Sequence, residues 1–470
     1  MPLLLLSLLF FMNFKAFSQT MSLEDFLVEV ETKNGGVRGT KISSQAKAQR
    51  KDEGTLFFKP SFFLTGEYMD DQRPTIAPVF QGTQTLRHTV KAGLQQNLRT
   101  GTRAAISYNY YKTQINGASP QFLPNSLFFD VQPMLEVTQS LWRNWLGKEF
   151  EATEIAQNEA TKAQRYQEDF NYKQLIMNAK NSYWRLYFAQ QVLKVQKESL
   201  DRAEKLRDWN RGRVRSNLVD EAELLQAEAN LQSREVEYQA VLDEIETAER
   251  EFNSFREGQG KMDLMADPEI ESKYILTARM PQKSGIREDV LATIAADRAA
   301  EAQAELGRER NKPNFEFYGS YSINGRDKQY SDARQQAFGA TRPMSVMGVR
   351  FTTPLDWGAL SGYRESYDKE KIASEMKMKR KSFEVDREWE ILTERFENFS
   401  NRLRLTQKLE QVQERKYQTE RQRYRQGRTT TFQVLQFEQD FANAQLLKLR
   451  NERELIIVYN QLMLFAGDQQ

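Results

Sequence analysis

Two long segments of this chain contain no proline and have the composition of coiled-coil helices. The first runs from about Glu149 to Phe255 and the second from about Gly362 to Phe465, and both are rich in Ala, Glu, Gln, Lys, Arg and Leu. In the second, spacings of three and four residues alternate through Trp389, Leu392, Phe396, Phe399 and Leu403. In the first, the same spacing links Ile176, Ala179, Tyr183, Leu186, Gln190 and Leu193. Such a seam requires partner helices, so we expect long helices packed against one another.

Each helical segment is interrupted once, and the two interruptions match. The first reads RGRVRSN at 211–217, and the second reads RQRYRQG at 421–427. Asn and Gly adopt the left-handed conformation that ends a helix, and arginines suit the negative end of the helix dipole. Acidic residues after the first break and threonines after the second are typical helix starts. Each segment is therefore predicted to be a helix, a tight turn and a returning helix.

Short alternating segments beside the helices predict β-strands. The segment PSFFLTGEY at 60–68 matches PNFEFYGSY at 313–321. In both, aromatic and aliphatic side chains fall on one face and polar ones on the other, which fits a strand between lipid and water. A half-buried strand in a soluble sheet has the same pattern. Further strands are predicted at Thr89–Gln95, Arg103–Tyr111, Leu127–Leu141 and Met344–Leu355, and a helix at Ile286–Arg310.

The first residues have the pattern of an export signal. Leu3 to Met12 is apolar except for Ser7, and Ala16-Phe17-Ser18 forms a cleavage site before Gln19. A buried N-terminal segment is the alternative interpretation. No later apolar run approaches the ~18 residues that a membrane helix needs, so any membrane crossing is predicted to use strands.

The composition argues against several classes of protein. Lys and Arg total 67 and Asp and Glu total 65, which leaves no charge excess for binding nucleic acid. The chain has no cysteine, which excludes disulfides, Cys-based zinc sites and a lipid anchor on Cys. The one histidine, His88, is expected at the surface of a strand or loop. Phosphate loops and nucleophile elbows are missing from the sequence, so we expect neither an enzyme nor a cofactor.

A few strands per chain cannot close a barrel, and open strand edges are not tolerated in hydrocarbon. Copies of the chain must therefore donate strands to a shared barrel. Sixty residues of helix, at ~1.5 Å each, reach about 90 Å, which is far more than a globular core requires. Symmetric closure of such hairpins predicts a cylinder whose bore is a conduit.

These features together resemble the TolC-like outer-membrane efflux family over nearly all the chain after the signal. The specific marks are Tyr424–Gly427 before Val434-Leu435-Gln436, Ser216-Asn217-Leu218 before Leu224–Glu228, the strand ends Gln139-Ser140-Leu141 and Thr353-Pro354-Leu355, and the twofold repeat. The resemblance implies an α+β membrane protein: a homotrimer with a shared 12-stranded β-barrel, about four strands per protomer. A long periplasmic coiled-coil barrel would continue it. The strand pair within 89–111 exceeds that count and is interpreted as an extended hairpin or loop.

The resemblance further implies a passive exit duct of a tripartite efflux pump or a type I secretion system. Its partners would be a periplasmic adaptor (membrane fusion) protein, an inner-membrane pump and the lipid of a Gram-negative outer membrane. The alternative is a periplasmic coiled-coil adaptor or scaffold without a pore. The predicted organisation is a signal peptide at 1–18, a first repeat at 19–257, a linker at 258–285 and a second repeat at 286–470.

The family pattern also assigns roles to residues of this chain. The inner tips that meet the adaptor would be Arg215, Ser216, Asn217, Leu218, Arg425, Gln426, Gly427 and Arg428. Candidates for gating or for lining the bore are Glu223, Tyr424, Gln433 and Gln436. The alternating strands give the lipid-facing candidates Phe62, Leu64, Tyr68, Phe315, Phe317 and Tyr321.

Several of these roles have alternatives. Arg215 and Arg425 either balance the helix dipoles or act in adaptor docking or an ionic latch. Tyr424 either packs in the seam or makes a latch hydrogen bond. The glutamines at 433 and 436 stand where the family often has carboxylates, which puts an acidic ring there in doubt, whereas Glu223 occupies the matching position of the first repeat.

Overall fold

The computed structural model describes residues 20–259, 263–264 and 279–466. The predicted signal at 1–18 and most of the predicted linker at 258–285 lie outside these residues. The helices are α1 (Leu23–Lys33), α2 (Gly35–Gln49), α3 (Pro78–Gln81), α4 (Lys148–Arg215), α5 (Glu221–Arg256), α6 (Glu288–Arg310), α7 (Tyr330–Phe338), α8 (Trp357–Arg425) and α9 (Thr431–Leu462). The strands are β1 (Thr20–Met21), β2 (Ser61–Asp71), β3 (Gln84–Asn97), β4 (Thr102–Asn116), β5 (Leu127–Ser140), β6 (Asp263–Leu264), β7 (Asn314–Ile323), β8 (Gly325–Asp327) and β9 (Pro343–Thr352).

The predicted helical hairpins are confirmed as the pairs α4–α5 and α8–α9, and the mid-chain helix is α6. The predicted seam is buried along α8, where Leu392, Phe396 and Leu403 are each at most 5% exposed. Among the described residues, no helix is both long enough and apolar enough to span a membrane.

The chain divides into two compact units. One comprises Met1–Ser44, Gln167–Asp289 and Ser382–Gln470, and the other comprises Gln45–Tyr166 and Val290–Lys381. The division into repeats at 19–257 and 286–470 is a different one, and it stays a prediction.

An aromatic cluster holds α1 onto the long helices of the first unit. Phe26 is fully buried and stacks on Phe252 of α5 with 4.4 Å between ring centroids. The ring centroid of Tyr183 of α4 lies 5.8 Å from that of Phe26 and 6.3 Å from that of Phe252, so the three rings contact one another. At the end of α1, the Nδ2 of Asn34 donates to the carbonyl oxygen of Phe255 at 2.8 Å. Burial of large rings, rather than local helix propensity, therefore fixes the position of this short helix.

We predict that Phe26→Ala destabilises the first unit, because removing a buried phenylalanine costs about 3–5 kcal/mol. The measurement is thermal unfolding of the detergent-solubilised protein, followed by circular dichroism. Val28→Ala is the matched control on the same helix, since Val28 is 63% exposed. Equal melting temperatures for the two variants would contradict the assigned packing.

The second unit contains one antiparallel sheet with the order β2-β3-β4-β5-β7-β9, and β8 pairs with β5 beyond the end of β7. Six strands form this continuous path: β2, β5, β7 and β9, and the additional pair β3 and β4. The expected count of about four barrel strands per protomer stays a prediction. The segment expected as an extended hairpin or loop is β3 and β4, of 14 and 15 residues. The alternation of apolar and polar side chains continues beyond 89–111. β3 and β4 each pair with a neighbouring strand on both sides, which satisfies their backbone N–H and C=O groups.

The strand register gives the sheet two different faces. One face carries Phe62, Leu64, Tyr68, Val90, Leu94, Ile106, Leu135, Phe315, Phe317, Tyr321, Met347 and Val349. The other carries Thr65, Glu67, Lys91, Asn109, Gln132, Glu136, Ser320 and Arg350. On the apolar face Phe62 is 67% exposed and Ile106 is 60% exposed. His88, as expected, is exposed on a strand, where its ring lies 5.0 Å from that of Tyr68.

Candidate functional site: the helical tips

The turn between α4 and α5 is closed by two backbone hydrogen bonds. The N–H of Leu218 donates to the carbonyl oxygen of Arg213 and the N–H of Asn217 donates to that of Val214, both at 2.9 Å. Asn217 has a φ of 54°, in the left-handed region. This is the Schellman arrangement, and Asn supplies the left-handed residue that is more often Gly.

The turn between α8 and α9 repeats this geometry. The N–H of Arg428 donates to the carbonyl oxygen of Arg423 and the N–H of Gly427 donates to that of Tyr424, again at 2.9 Å. Gly427 has a φ of 71°. Thr430 is the N-cap of α9, and its Oγ1 accepts from the N–H of Gln433 at 3.4 Å. The two matching sequence segments therefore fold alike at their helix ends.

The structure leaves the predicted tip residues open to solvent. The exposed residues are Arg215, Ser216, Asn217 and Leu218 in the first turn and Arg425, Gln426, Gly427 and Arg428 in the second. Leu218 is 68% exposed, although it is apolar. Arg425 also lines a groove with Trp209, Tyr417 and Arg421. The tips thus combine cationic ends with an apolar side chain that has no cover in the described chain.

A buried hydrogen-bond network lies directly behind the second turn. Tyr424 is 3% exposed, and its Oη donates to the Oδ1 of Asn210. The same Oη lies 2.8 Å from the Oγ1 of Thr431, which also accepts from the Nδ2 of Asn210 at 3.2 Å. Asn210 and Thr431 are both fully buried. The network therefore connects α4, α8 and α9 through side chains that have no access to competing water.

Tyr424 combines the two interpretations left open by the sequence. Its ring belongs to a buried apolar cluster with Tyr417, Val434 and Phe441, while its hydroxyl makes the hydrogen bonds just described. The guanidinium of Arg213 lies 5.3 Å from the centroid of the Tyr424 ring. Packing and hydrogen bonding thus act on the same side chain, that of Tyr424.

Tyr417 lies in the same apolar cluster. Burial raises the pKa of the Tyr417 phenol, and the nearby Arg421 and Arg202 oppose this shift.

Of the other gating candidates, Glu223 joins the network and the two glutamines do not. The Oγ1 of Thr431 donates to the Oε2 of Glu223 at 2.6 Å, so the start of α5 is tied to the start of α9. Gln433 is exposed, and its Oε1 accepts from the Oγ1 of Thr429. Gln436 is also exposed, and its Nε2 donates to the Oδ1 of Asp440 at 3.1 Å.

A buried ion cluster centred on Glu438 of α9 was not among the sites chosen from the sequence. Its Oε1 accepts from Ser199 at 2.6 Å and from the Nη2 of Arg202 at 3.0 Å. Its Oε2 accepts from the Nη2 of Arg234 at 3.1 Å. Glu438 is 4% exposed and Arg234 is 1% exposed. Ser199 and Arg202 belong to α4 and Arg234 to α5, so one carboxylate holds three helices together.

The sequence contained one signal for this cluster. Glu228 stands 210 positions before Glu438, at the equivalent place after the first turn. In the structure, Glu228 accepts from Arg211 at 3.2 Å, and both side chains are about 40% exposed. Equivalent sequence positions therefore have different environments, because the partners of Glu438 are more than 200 residues away along the chain.

Among the described residues, no group of three or more His, Cys, Asp or Glu could hold a metal ion.

We predict that Glu438→Ala destabilises the helices by up to about 3–5 kcal/mol, since Arg202 and Arg234 would lose the buried carboxylate that they share and Arg234 would keep only the part-exposed Glu237 as a counter-charge. Glu228→Ala is the matched control, and removing its exposed ion pair costs about 0–1 kcal/mol. Chemical unfolding of both variants, followed by circular dichroism, checks the difference. A Glu438→Ala variant as stable as Glu228→Ala would refute the assigned role of the cluster.

Comparison with known proteins matches one part of the sequence to a family model and almost all of it to known folds. Residues 285–468 match the family model described as outer membrane efflux protein. No curated protein matches the chain.

Three of the solved structures similar to the chain are outer-membrane proteins. The VceC outer membrane protein of Vibrio cholerae is 14% identical, with a TM-score of 0.66 over 95% of this chain and 97% of its own. The CmeC outer membrane channel of Campylobacter jejuni is 15% identical, with a TM-score of 0.64 over 95% of this chain and 85% of its own. The open state of the MtrE outer membrane channel of Neisseria gonorrhoeae is 14% identical, with a TM-score of 0.64 over 93% and 88%. At these identities the likeness establishes the fold alone.

Proposed function

We propose that three copies of this chain, whose residues 285–468 match the family model described as outer membrane efflux protein, assemble into a passive exit duct through the outer membrane of a Gram-negative bacterium. The duct carries cargo from a periplasmic pump assembly to the exterior, and its helical part lies in the periplasm. No catalytic step is involved.

The observation that carries this proposal is the two-faced sheet with unpaired edges. The apolar face, with Leu64, Ile106 and Val349 each at least 60% exposed, is larger than a soluble monomer normally leaves in water. β2 and β9 each lack a neighbour on one side within the described chain. Lipid covers the apolar face, and the edge strands of adjacent copies pair with each other, because open edges are not stable in hydrocarbon. Each chain thus supplies one third of a closed barrel.

The long helical hairpins supply the periplasmic conduit. The two halves at 19–257 and 286–470 act as repeats, since both carry a hairpin closed by the same Schellman turn at 217 and 427. Their exposed, cationic tips, with Leu218 uncovered, fit a periplasmic adaptor protein. The adaptor in turn joins an inner-membrane pump. In this proposal the pump and the adaptor select the cargo.

The channel is tested on protein extracted in detergent. We expect light scattering to give the mass of three chains and planar bilayers to show ion conductance. The chain has no cysteine, so introduced pairs report cleanly. Thr65→Cys or Glu67→Cys in β2, combined with Val346→Cys or Arg350→Cys in β9, should form disulfides between chains. Thr65→Cys with Lys91→Cys is the control, since these residues are paired within one chain and their disulfide leaves the mass unchanged.

A monomer that fractionates with the soluble periplasm and conducts no ions would refute the proposal. It would favour the adaptor or scaffold alternative, in which the hairpins bind a partner but enclose no pore.

The network behind the second tip is the proposed restraint on opening. Tyr424→Phe removes the hydroxyl that connects α8 to α4 while it keeps the ring in its cluster. We predict a higher single-channel conductance in planar bilayers, because α8 and α9 can then move away from α4. Gln426→Ala, an exposed change at the same tip, should leave the conductance unchanged.

The double variant Arg215→Gln/Arg425→Gln tests whether the tip arginines form an ionic latch. A rise in conductance would support the latch, and unchanged conductance would leave these residues with the role of helix-end charges. Unchanged conductance in Tyr424→Phe as well would contradict any restraint at this end of the helices.

A further inference from the structure

We propose that the β3–β4 hairpin is part of the membrane wall, so that three chains close a barrel of three times six strands, 18 in all. This inference rests on the proposed trimeric channel and adds its strand number. It makes this duct wider at the membrane than one built from four strands per chain. The inference depends on the two faces of the hairpin, on its inner turn and on the direction of the edge strands.

The hairpin has the same two faces as the strands around it. On one face Val90, Leu94 and Ile106 are 41%, 50% and 60% exposed, in line with Leu64 of β2 and Leu135 of β5. On the opposite face, the register places Lys91 beside Asn109. A hairpin that projected into water would have no reason to keep a row of exposed aliphatic side chains on one side only.

The inner turn of the hairpin is anchored where the strands give way to helices. A Cβ on Gly101, in this turn, would lie 2.4 Å from the carbonyl oxygen of Asn144, and one on Gly147 would lie 2.0 Å from that of Arg99. The Nη1 of Arg99 lies 2.7 Å from the Oε2 of Glu154 in α4. Only residues without a side chain allow this approach. The hairpin therefore reaches the same level as the lower ends of β2 and β5.

Strand length leads to the same conclusion. A membrane-crossing strand needs about 9–11 residues. β2 has 11 residues and β9 has 10, while β3 and β4 have 14 and 15. Each strand of the hairpin is thus long enough to cross the full apolar band.

The six strands also alternate in direction along the sheet, since every neighbouring pair is antiparallel. With an even number of strands, β9 of one copy meets β2 of the next in the antiparallel sense, and rotational symmetry can close the ring. Glu67 of β2 and Arg350 of β9 lie on the same polar face, so the two edges that meet present their polar side chains to the same side. The occupant of each free edge is therefore a second copy of this chain.

Barrel diameter grows roughly linearly with strand number, so 18 strands give a lumen about half again as wide as 12 strands. Barrels of about this size leave an aqueous channel that side chains do not fill.

Single cysteines in the otherwise cysteine-free full chain, reconstituted as a trimer in lipid vesicles, test the inference. Leu94→Cys and Gln95→Cys are neighbours on opposite faces of β3, and Ile106→Cys and Ala105→Cys are neighbours on opposite faces of β4. Leu64→Cys on the apolar face of β2 is the reference for lipid exposure. The probes are a water-soluble maleimide and a maleimide dissolved in the lipid phase.

We expect Leu94→Cys and Ile106→Cys to behave like Leu64→Cys, with at least about tenfold slower labelling by the water-soluble maleimide than their neighbours at 95 and 105. Equal, fast labelling of all four hairpin positions, with Leu64→Cys still protected, would overturn the inference and leave β2 and β5 as neighbours in the wall. The disulfides between β2 and β9 test the trimer separately, so a failure of the proposed function is distinguishable from a wrong strand number.

Discussion

Unpaired backbone at the two edges of the sheet is the constraint on which the rest of this molecule depends. β2 and β9 each present a row of N–H and C=O groups with no partner in the described chain, next to an apolar face on which Phe62, Leu64 and Val349 are exposed. In water such an edge promotes aggregation, and in hydrocarbon each unsatisfied group costs several kcal/mol. In the proposed trimer, strand pairing between copies satisfies these groups, and an even number of alternating strands makes that pairing antiparallel throughout. Assembly is thus a condition for placing this chain in a membrane.

The helices meet a different physical problem, which is how long amphipathic elements with mixed charge keep their register. Apolar burial alone specifies the seam only weakly, because Ala, Leu and aromatic residues recur at similar spacings along all four long helices. Polar groups buried at single positions remove this ambiguity, in the way that a polar residue fixes the register of a coiled coil. Glu438 accepts hydrogen bonds from α4 and α5, and Asn210 connects α4 with α8 and α9. A shift of one helical turn would leave these groups buried and unpaired, which is more costly than the loss of packing.

The same positions are suited to a change of conformation. The network around Tyr424 consists of a few hydrogen bonds among side chains of four helices, and it lies close to two exposed turns. Hydrogen bonds of this kind contribute about 0.5–1.5 kcal/mol each, so a partner that contacts the turns can exchange them at modest cost. The Glu438 cluster lies further from the turns along α9 and consists of buried ion pairs, so it holds the helices together more firmly. Along the same helices, the Glu438 cluster therefore fixes the register, while the network around Tyr424 leaves the tips free to change conformation.

Local patterns in the sequence determined the elements of this structure. The absence of proline and the alternating spacings predicted both helical hairpins, and Asn217 and Gly427 marked their turns because few residues other than Gly and Asn accept a positive φ. Period-two alternation likewise located the strands and assigned Phe62 and Phe317 to one face. What only the tertiary structure decided was pairing: that β3 and β4 lie between β2 and β5, and that Glu438 is buried while Glu228 is exposed. Periodicity reports which way a side chain points from its own backbone, but the neighbour it meets comes from residues far away along the chain, and no local spacing encodes that choice.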